Sequence, residues 1–547
     1  MTEIPYALPP VRFSDAEPLP DGWQYPLDKE YLTESSCKYN ETKSSARTVV
    51  EMDARIHVVV RLLSTSQRWP SEWYSLCRQS GVWKAHRESI VSEYYLPTFL
   101  RTFRCANIPS QDLYSRRASP LTYLLICPKI ITSFFDCSTP GVIHSFLQFG
   151  SPHGLRGQDQ FVSAEFSEVR VNIGYRLSAF GFLASDKPRL DGNYGFKDQW
   201  LALEWVKKNI SAFGGNPEDI TLLGLSAGAH SVHQILHHVS RLPETAESPF
   251  QSAILMSNAI VMVPKTPSEL RPQLEALCHA LHLDPQSPDI LKTLQDPSII
   301  PASKICEVIE TDALGTEYGT FRGCVDDNSW MASSPDLMTW QRSGSFASSL
   351  AQRGLRSIVI GDLTEEWYLY SIAHPIATAE DIAINLERYY PMDMVKRMIS
   401  MYRQLGEDAE PEECVRLFGE ILSDWQVHLP VRVLARDLHR AGFPVLRYEI
   451  AWTPEQQRPE GRFVTHGGDS FLWHFRIPDL EADQVQVAKN WLERVNEEVK
   501  NLERNKVSSR SVKEVLKLGK DKEIAWAVDD LWYEKMRLVK ILQGESE

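Results

Sequence analysis

The pattern of apolar and polar positions changes character along the chain. Residues 1–36 carry short apolar words separated by prolines, and residues 44–143 show no clear alternation of strand and helix patterns. From residue 169 the pattern sharpens. Residues 169–175 alternate as a strand does, residues 201–210 repeat apolar side chains at helical spacing, and residues 220–224 form a short apolar run suited to a buried strand. Further strands are predicted at 357–361 and 444–450, each after a helix-like segment. This βα rhythm predicts an α/β fold with a mostly parallel central sheet flanked by helices. The tail, 480–542, interleaves Glu, Lys and Arg with Val, Leu and Trp and reads as amphipathic surface helices. No internal repeat is visible. The expectation is one domain over 1–547, with 44–143 a divergent segment and 480–547 a helical C-terminal part.

Composition narrows the function classes. The chain has 547 residues, 58 Lys+Arg against 72 Asp+Glu and a net charge of −14, which argues against nucleic acid as a partner. With 43% hydrophobic residues and 15 Trp it can bury a large core. The most apolar stretch, 121–135, is broken by Pro128 and Lys129 and is shorter than the roughly 20 residues of a membrane helix. The first residues lack the basic region and apolar run of a secretory signal, so a soluble, cytoplasmic protein is expected. Nine cysteines without Cys-x-x-Cys spacing suggest neither a zinc site nor a dense disulfide frame. No metal or nucleotide motif is found, so no cofactor is implied.

The chemistry centres on Ile220-Thr221-Leu222-Leu223-Gly224-Leu225-Ser226-Ala227-Gly228, followed by a helix-like run to His238. Gly-x-Ser-x-Gly gains meaning in this strand–turn–helix context, where a sharp turn lifts the serine Oγ above the sheet edge and only tiny neighbours fit. The bland alternative is a turn serine capping a helix. A serine hydroxyl becomes nucleophilic when a histidine removes its proton, and that histidine needs a carboxylate to set its tautomer. In this arrangement the chain order is serine, acid, histidine. Downstream, Gly361-Asp362-Leu363-Thr364-Glu365-Glu366-Trp367 follows one predicted strand and Thr465-His466-Gly467-Gly468-Asp469 follows another. Both stand where the carboxyl edge of a sheet would present them. Among 15 histidines, His466 is favoured by its place in a loop beside two glycines.

These words, together with Asn193-Tyr194-Gly195-Phe196-Lys197-Asp198-Gln199, Ala202-Leu203-Glu204-Trp205-Val206, Phe213-Gly214-Gly215-Asn216-Pro217, Tyr175-Arg176-Leu177 and Phe180-Gly181-Phe182-Leu183, resemble the type B carboxylesterases. That family includes the cholinesterases and many fungal esterases and lipases. The match is dense from 148 to about 240 and resumes around 322–375 and 465–478. The resemblance implies the α/β-hydrolase fold, hydrolysis of a small-molecule carboxylic ester, Ser226 as nucleophile and His466 as base. It also picks Glu366 as the acid over Glu365 and Asp362, since the family's acid is usually a Glu five residues after a strand-ending Gly, although Trp367 stands where most members have Gly.

Three departures from the family pattern stand out. Leu225 occupies the position that is often Glu, which disfavours a choline ester. The oxyanion word, usually His-Gly-Gly, reads Ile143-His144-Ser145-Phe146-Leu147-Gln148-Phe149-Gly150 and lacks the glycine pair. Residues 44–143 lack the family's usual words and its apolar strand before that loop. The donors expected for the oxyanion are the backbone N–H of Ala227 and those of Ser145 and Phe146. A poorly formed N-terminal sheet edge, with 44–143 largely outside the sheet, is expected, as are Ser226, Glu366 and His466 in hydrogen-bond reach in that order. The leading reading is an ester hydrolase of reduced or full efficiency. A non-catalytic binding relative is the alternative from another class, and an acyltransferase or thioesterase using the same residues is the third.

Overall fold

Strands form where continuous apolar runs can be covered on both faces. The computed structural model describes residues 2–5, 12–18, 57–61, 122–126, 159–326, 330–406, 408–508 and 510–542. Among the described residues, one sheet contains ten strands: β1 (Thr2–Pro5), β2 (His57–Arg61), β3 (Thr122–Ile126), β4 (Val169–Ile173), β5 (Ile220–Leu225), β6 (Ser252–Met256), β7 (Ser357–Leu363), β8 (Val445–Ile450), β9 (Glu514–Leu518) and β10 (Ile524–Val528). Their order across the sheet is β1-β2-β4-β3-β5-β6-β7-β8-β9-β10. From β4 to β9 all neighbours are parallel, while β1, β2 and β10 join antiparallel at the edges. This is the α/β-hydrolase fold, and the strands anticipated at 169–175, 220–224, 357–361 and 444–450 all lie in it. Every residue of β4, β6, β7 and β8 is buried, as an interior parallel sheet requires.

Helices cover both faces. The helix anticipated at 201–210 is the end of α1 (Tyr194–Asn209), whose Phe196, Ala202, Leu203 and Val206 are buried at helical spacing. Its Asp198 accepts from Arg176 Nε at 2.7 Å and Nη2 at 2.6 Å, a fully buried bidentate pair. The turn at Ser226 leads into α2 (Ala227–Arg241), and α3 (Leu429–Arg440) and α4 (Ala482–Asn505) pack against β7 and β8. Among the described residues, no helix is long and apolar enough to cross a membrane.

The structure corrects the sequence reading in two places. The 480–542 tail is helical only to Asn505. Beyond it β9 extends the sheet beside β8 and β10 closes the edge, joined through a turn at Gly519 and Lys522. Short alternating runs of five residues are masked in a charged tail when a 24-residue helix dominates the pattern. The second place is the 44–143 segment, which contributes β2 and β3. β3 is interior, with Thr122 in register with Val169 on one side and Ile220 on the other. Its sequence, Thr-Tyr-Leu-Leu-Ile, is too short and too uniformly apolar to show a period. The N-terminal edge is closed by β1 on β2 and β2 on β4.

A buried charge network ties the C-terminal hairpin to the strand that precedes the candidate acid. Asp362 on β7 accepts from Arg432 Nη1 at 2.7 Å and sits 2.8 Å from His428 Nδ1, and Asp529, just past β10, accepts from Arg432 Nη2 at 2.8 Å and Arg447 Nη2 at 2.6 Å. Burial opposes charge here, but the guanidinium of Arg432 and the His428 contact hold Asp362 well below the usual carboxylate range. Removing one member leaves buried charge uncompensated. Arg432→Met is therefore expected to lower unfolding free energy by about 3–5 kcal/mol, read from denaturant melts, and a loss below about 1 kcal/mol would show that the network contributes little.

Candidate active site

The serine is presented by backbone strain. Ser226 lies between the last residue of β5 and the first of α2 with φ 56° and ψ −122°, a conformation non-glycine residues rarely adopt. The surrounding backbone holds it there: Ser226 N–H donates to Met256 O at 2.8 Å, and His230 N–H donates to Ser226 O at 3.0 Å. Gly224 is required by contact, since a Cβ there would lie 2.3 Å from the carbonyl carbon of Gly228. Ala227 is the first residue of α2, so its N–H has no acceptor within the helix.

The acid candidates diverge at the end of β7. Asp362 is committed to Arg432 and His428. Glu365 Oε2 accepts from Val464 N at 2.8 Å and so anchors the loop that carries His466. Glu366 is fully buried; its Oε1 accepts from Leu363 N at 3.0 Å and its Oε2 lies 2.6 Å from His466 Nδ1. A carboxylate only accepts, so this contact places the hydrogen on Nδ1 and leaves Nε2 with a lone pair. The His466 loop is a tight turn, with Gly467 at φ 75°, Gly468 N–H donating to Thr465 O at 2.9 Å and Leu369 N–H to Thr465 Oγ1 at 3.1 Å.

The structure thus brings Glu366 and His466 together. It does not close the second link: His466 Nε2 is sealed from solvent and has no hydrogen-bond partner among the described residues. Ser145 and Phe146, the other oxyanion candidates, and His144 lie outside the described residues.

Two neighbours of the histidine escaped the sequence reading. The ring of Tyr370 meets the ring of His466 edge-on at 5.3 Å. Asp469, three residues after His466, is fully buried; its Oδ2 accepts from Trp473 Nε1 at 2.9 Å, while Oδ1 has no partner among the described residues. The only signal in the sequence was its place in the Gly-rich loop. Burial, helped by the charge of Glu366, raises the Asp469 carboxyl to about 7, against the smaller opposing pull of Trp473 and His466. Between the ordinary value near 4 and about 7 the folded chain keeps a proton that the unfolded chain has lost, so stability falls as pH rises through that window and levels off above it. At about 1.4 kcal/mol per pH unit the loss is on the order of 4 kcal/mol. Asp469→Asn is expected to remove it: the variant's melting temperature should gain on the wild type between pH 5 and pH 8. Parallel pH curves would show that Asp469 ionises freely in the folded state.

A sequence model of the carboxylesterase family matches residues 144–499, well over half of the chain. The chain belongs to the carboxylesterase family. An uncharacterized esterase/lipase of Schizosaccharomyces pombe is 30% identical over 373 residues, 64% of this chain and 67% of that protein. A carboxylic ester hydrolase of Gibberella moniliformis is 28% identical, covering 61% of this chain and 62% of its own length. Carboxylesterase 1D of Rattus norvegicus is 24% identical over 57% of this chain and 56% of its own. The chain spans about two-thirds or less of the length of these carboxylesterase relatives.

Proposed function

We propose that this carboxylesterase family member hydrolyses small-molecule carboxylic esters through an acyl-enzyme formed on Ser226. The observation that carries the reading is the strained elbow at Ser226, with φ 56°, in a fold that also seats a buried Glu366–His466 pair at 2.6 Å. In this reading His466 Nε2 takes the proton from Ser226 Oγ as Oγ bonds to the ester carbonyl carbon. It returns that proton to the departing alkoxide, and then activates water for deacylation. Glu366 keeps the imidazole in the Nδ1–H tautomer and stabilises the imidazolium. Negative charge on the carbonyl oxygen is met by the Ala227 N–H and by N–H groups from Ser145 and Phe146, each donor contributing on the order of 10²- to 10³-fold in rate.

His466 Nε2, without a partner among the described residues, supports two readings. A polar atom sealed from water without a partner is costly, and a serine hydroxyl, a water or a leaving-group oxygen would satisfy it. It also favours the alternative of a binding relative that has kept the scaffold and lost proton transfer. Labelling with a fluorophosphonate separates them, because phosphonylation needs an activated serine. Adduct located on Ser226 by mass spectrometry is the expected result; a folded sample that stays unlabelled would replace the hydrolase reading with the binding one.

A further inference from the structure

Arg322 is a cation with no counter-ion among the described residues. Arg322 sits on a short segment fixed from two sides: Asn193 exchanges hydrogen bonds with Cys324, Nδ2 to O at 2.8 Å and Cys324 N to Oδ1 at 2.9 Å, and Val325 N–H donates to Lys265 O at 3.0 Å. Gly323 lets this segment lie against Phe196, where a Cβ would come within 2.5 Å of the ring. The guanidinium therefore has a preset position. Its Cζ lies 5.1 Å from the centroid of the Tyr389 ring, and its Nη2 is sealed from solvent with no hydrogen-bond partner among the described residues.

Among the described residues, the titratable groups acting on Arg322 are Tyr390, Tyr389 and Tyr370, with no carboxylate among them. Burial pushes all three phenols above their ordinary value, so they stay neutral and cannot balance the guanidinium. His230, which also feels the charge of Arg322, is lowered to about 3, chiefly by burial, so it too is neutral. Arg322 is partly buried, and its sealed, unpartnered Nη2 with only neutral groups near it among the described residues is unfavourable unless something anionic joins it.

Its place says what would. His230 donates its backbone N–H to the carbonyl of Ser226, and Tyr370 packs its ring on His466. The segment that carries Arg322 packs through Gly323 on Phe196, whose ring lies 6.4 Å from that of His230 just after the Ser226 turn, and the charge of Arg322 is felt by Tyr370, which packs on His466. Building on the ester-hydrolase reading, we propose that Arg322 is a specificity-determining residue that binds a carboxylate on the acyl or the alcohol arm of the substrate, so that the preferred ester is an anionic, carboxylate-bearing one and not a neutral one. The planar fork of arginine suits a carboxylate, and the Tyr389 ring 5.1 Å from Cζ supports one face of the guanidinium.

The test compares kcat/KM for two pairs of esters that differ only in charge: mono-p-nitrophenyl glutarate against its methyl ester, and 3-acetoxypropionate against its methyl ester. The wild type is expected to prefer the charged member of one pair by about 10-fold or more, and Arg322→Gln to lower that ratio by roughly 10- to 100-fold, the range of a charge-assisted hydrogen bond. Arg322→Lys should fall between them, and it carries the comparison if the glutamine variant folds poorly. A wild type without charge preference in either pair, or a ratio unmoved by substitution, overturns the inference and assigns Arg322 a packing role on Tyr389. Fluorophosphonate labelling of Ser226 is run on the same samples. If labelling and turnover both fail, the hydrolase reading is what has failed, and calorimetric titration with glutarate then decides the Arg322 site: binding that is lost in Arg322→Gln supports it, and no binding by the wild type overturns it.

Discussion

Ser226→Ala is expected to abolish turnover of a short-chain aryl ester, with kcat falling by about 10⁴- to 10⁶-fold, while melting temperature and circular dichroism stay close to wild type. The size follows from the proposed role, since an acyl-enzyme cannot form without Oγ. The preserved fold follows from the geometry. Alanine keeps the Cβ that already tolerates φ 56° at this turn, and the elbow is held by backbone bonds from Ser226 N to Met256 O and from His230 N to Ser226 O, which the substitution leaves in place. A purified variant that retains more than a few percent of the wild-type rate would show that another group is the nucleophile.

Glu366→Gln should have the second largest effect, a loss of kcat on the order of 10⁴-fold. Glu366 uses both oxygens, one for Leu363 N and one for His466 Nδ1. A glutamine can satisfy the Leu363 N–H only with its carbonyl, which turns its NH₂ toward Nδ1 and favours the tautomer with the hydrogen on Nε2. That tautomer cannot accept a proton from serine. Glu365→Gln is the control, because Glu365 meets Val464 N, an interaction a glutamine carbonyl can keep. Its rate should stay within a few-fold of wild type. Reversed effects would move the acid role to Glu365.

How far the sequence alone carries these expectations depends on the range of the interaction involved. The elbow was legible because it is made by neighbours in the chain: an apolar run ending at Leu225, small residues at 224, 227 and 228, and a helix beginning at once. Only tiny side chains allow the backbone of Gly224 to approach Gly228, and that constraint is written locally. Among the parallel strands, β6 was not anticipated, whereas β4, β5, β7 and β8 were legible from their own residues, by alternation or by short apolar runs. The strands β3, β9 and β10 were not. Each is five residues long, and their membership in the sheet is decided by partners far away in the chain, Thr122 by Ile220 and Leu516 by Tyr448.

The acid shows the division most clearly. The sequence determined that carboxylates would stand at the end of β7 and just past it, offering Asp362, Glu365 and Glu366, and the family pattern ranked them. Composition and periodicity could not separate three acids within five residues. The tertiary structure sends Asp362 to Arg432, Glu365 to the Val464 amide and Glu366 to His466, because neighbouring side chains on a strand and the turn after it leave in different directions and meet different elements. The same holds for Asp469 and Arg322. Nothing local distinguishes a buried carboxyl from a solvated one, or a guanidinium among tyrosines from one on the surface. Desolvation and the identity of the facing groups set their chemistry, and both exist only once distant segments have packed together.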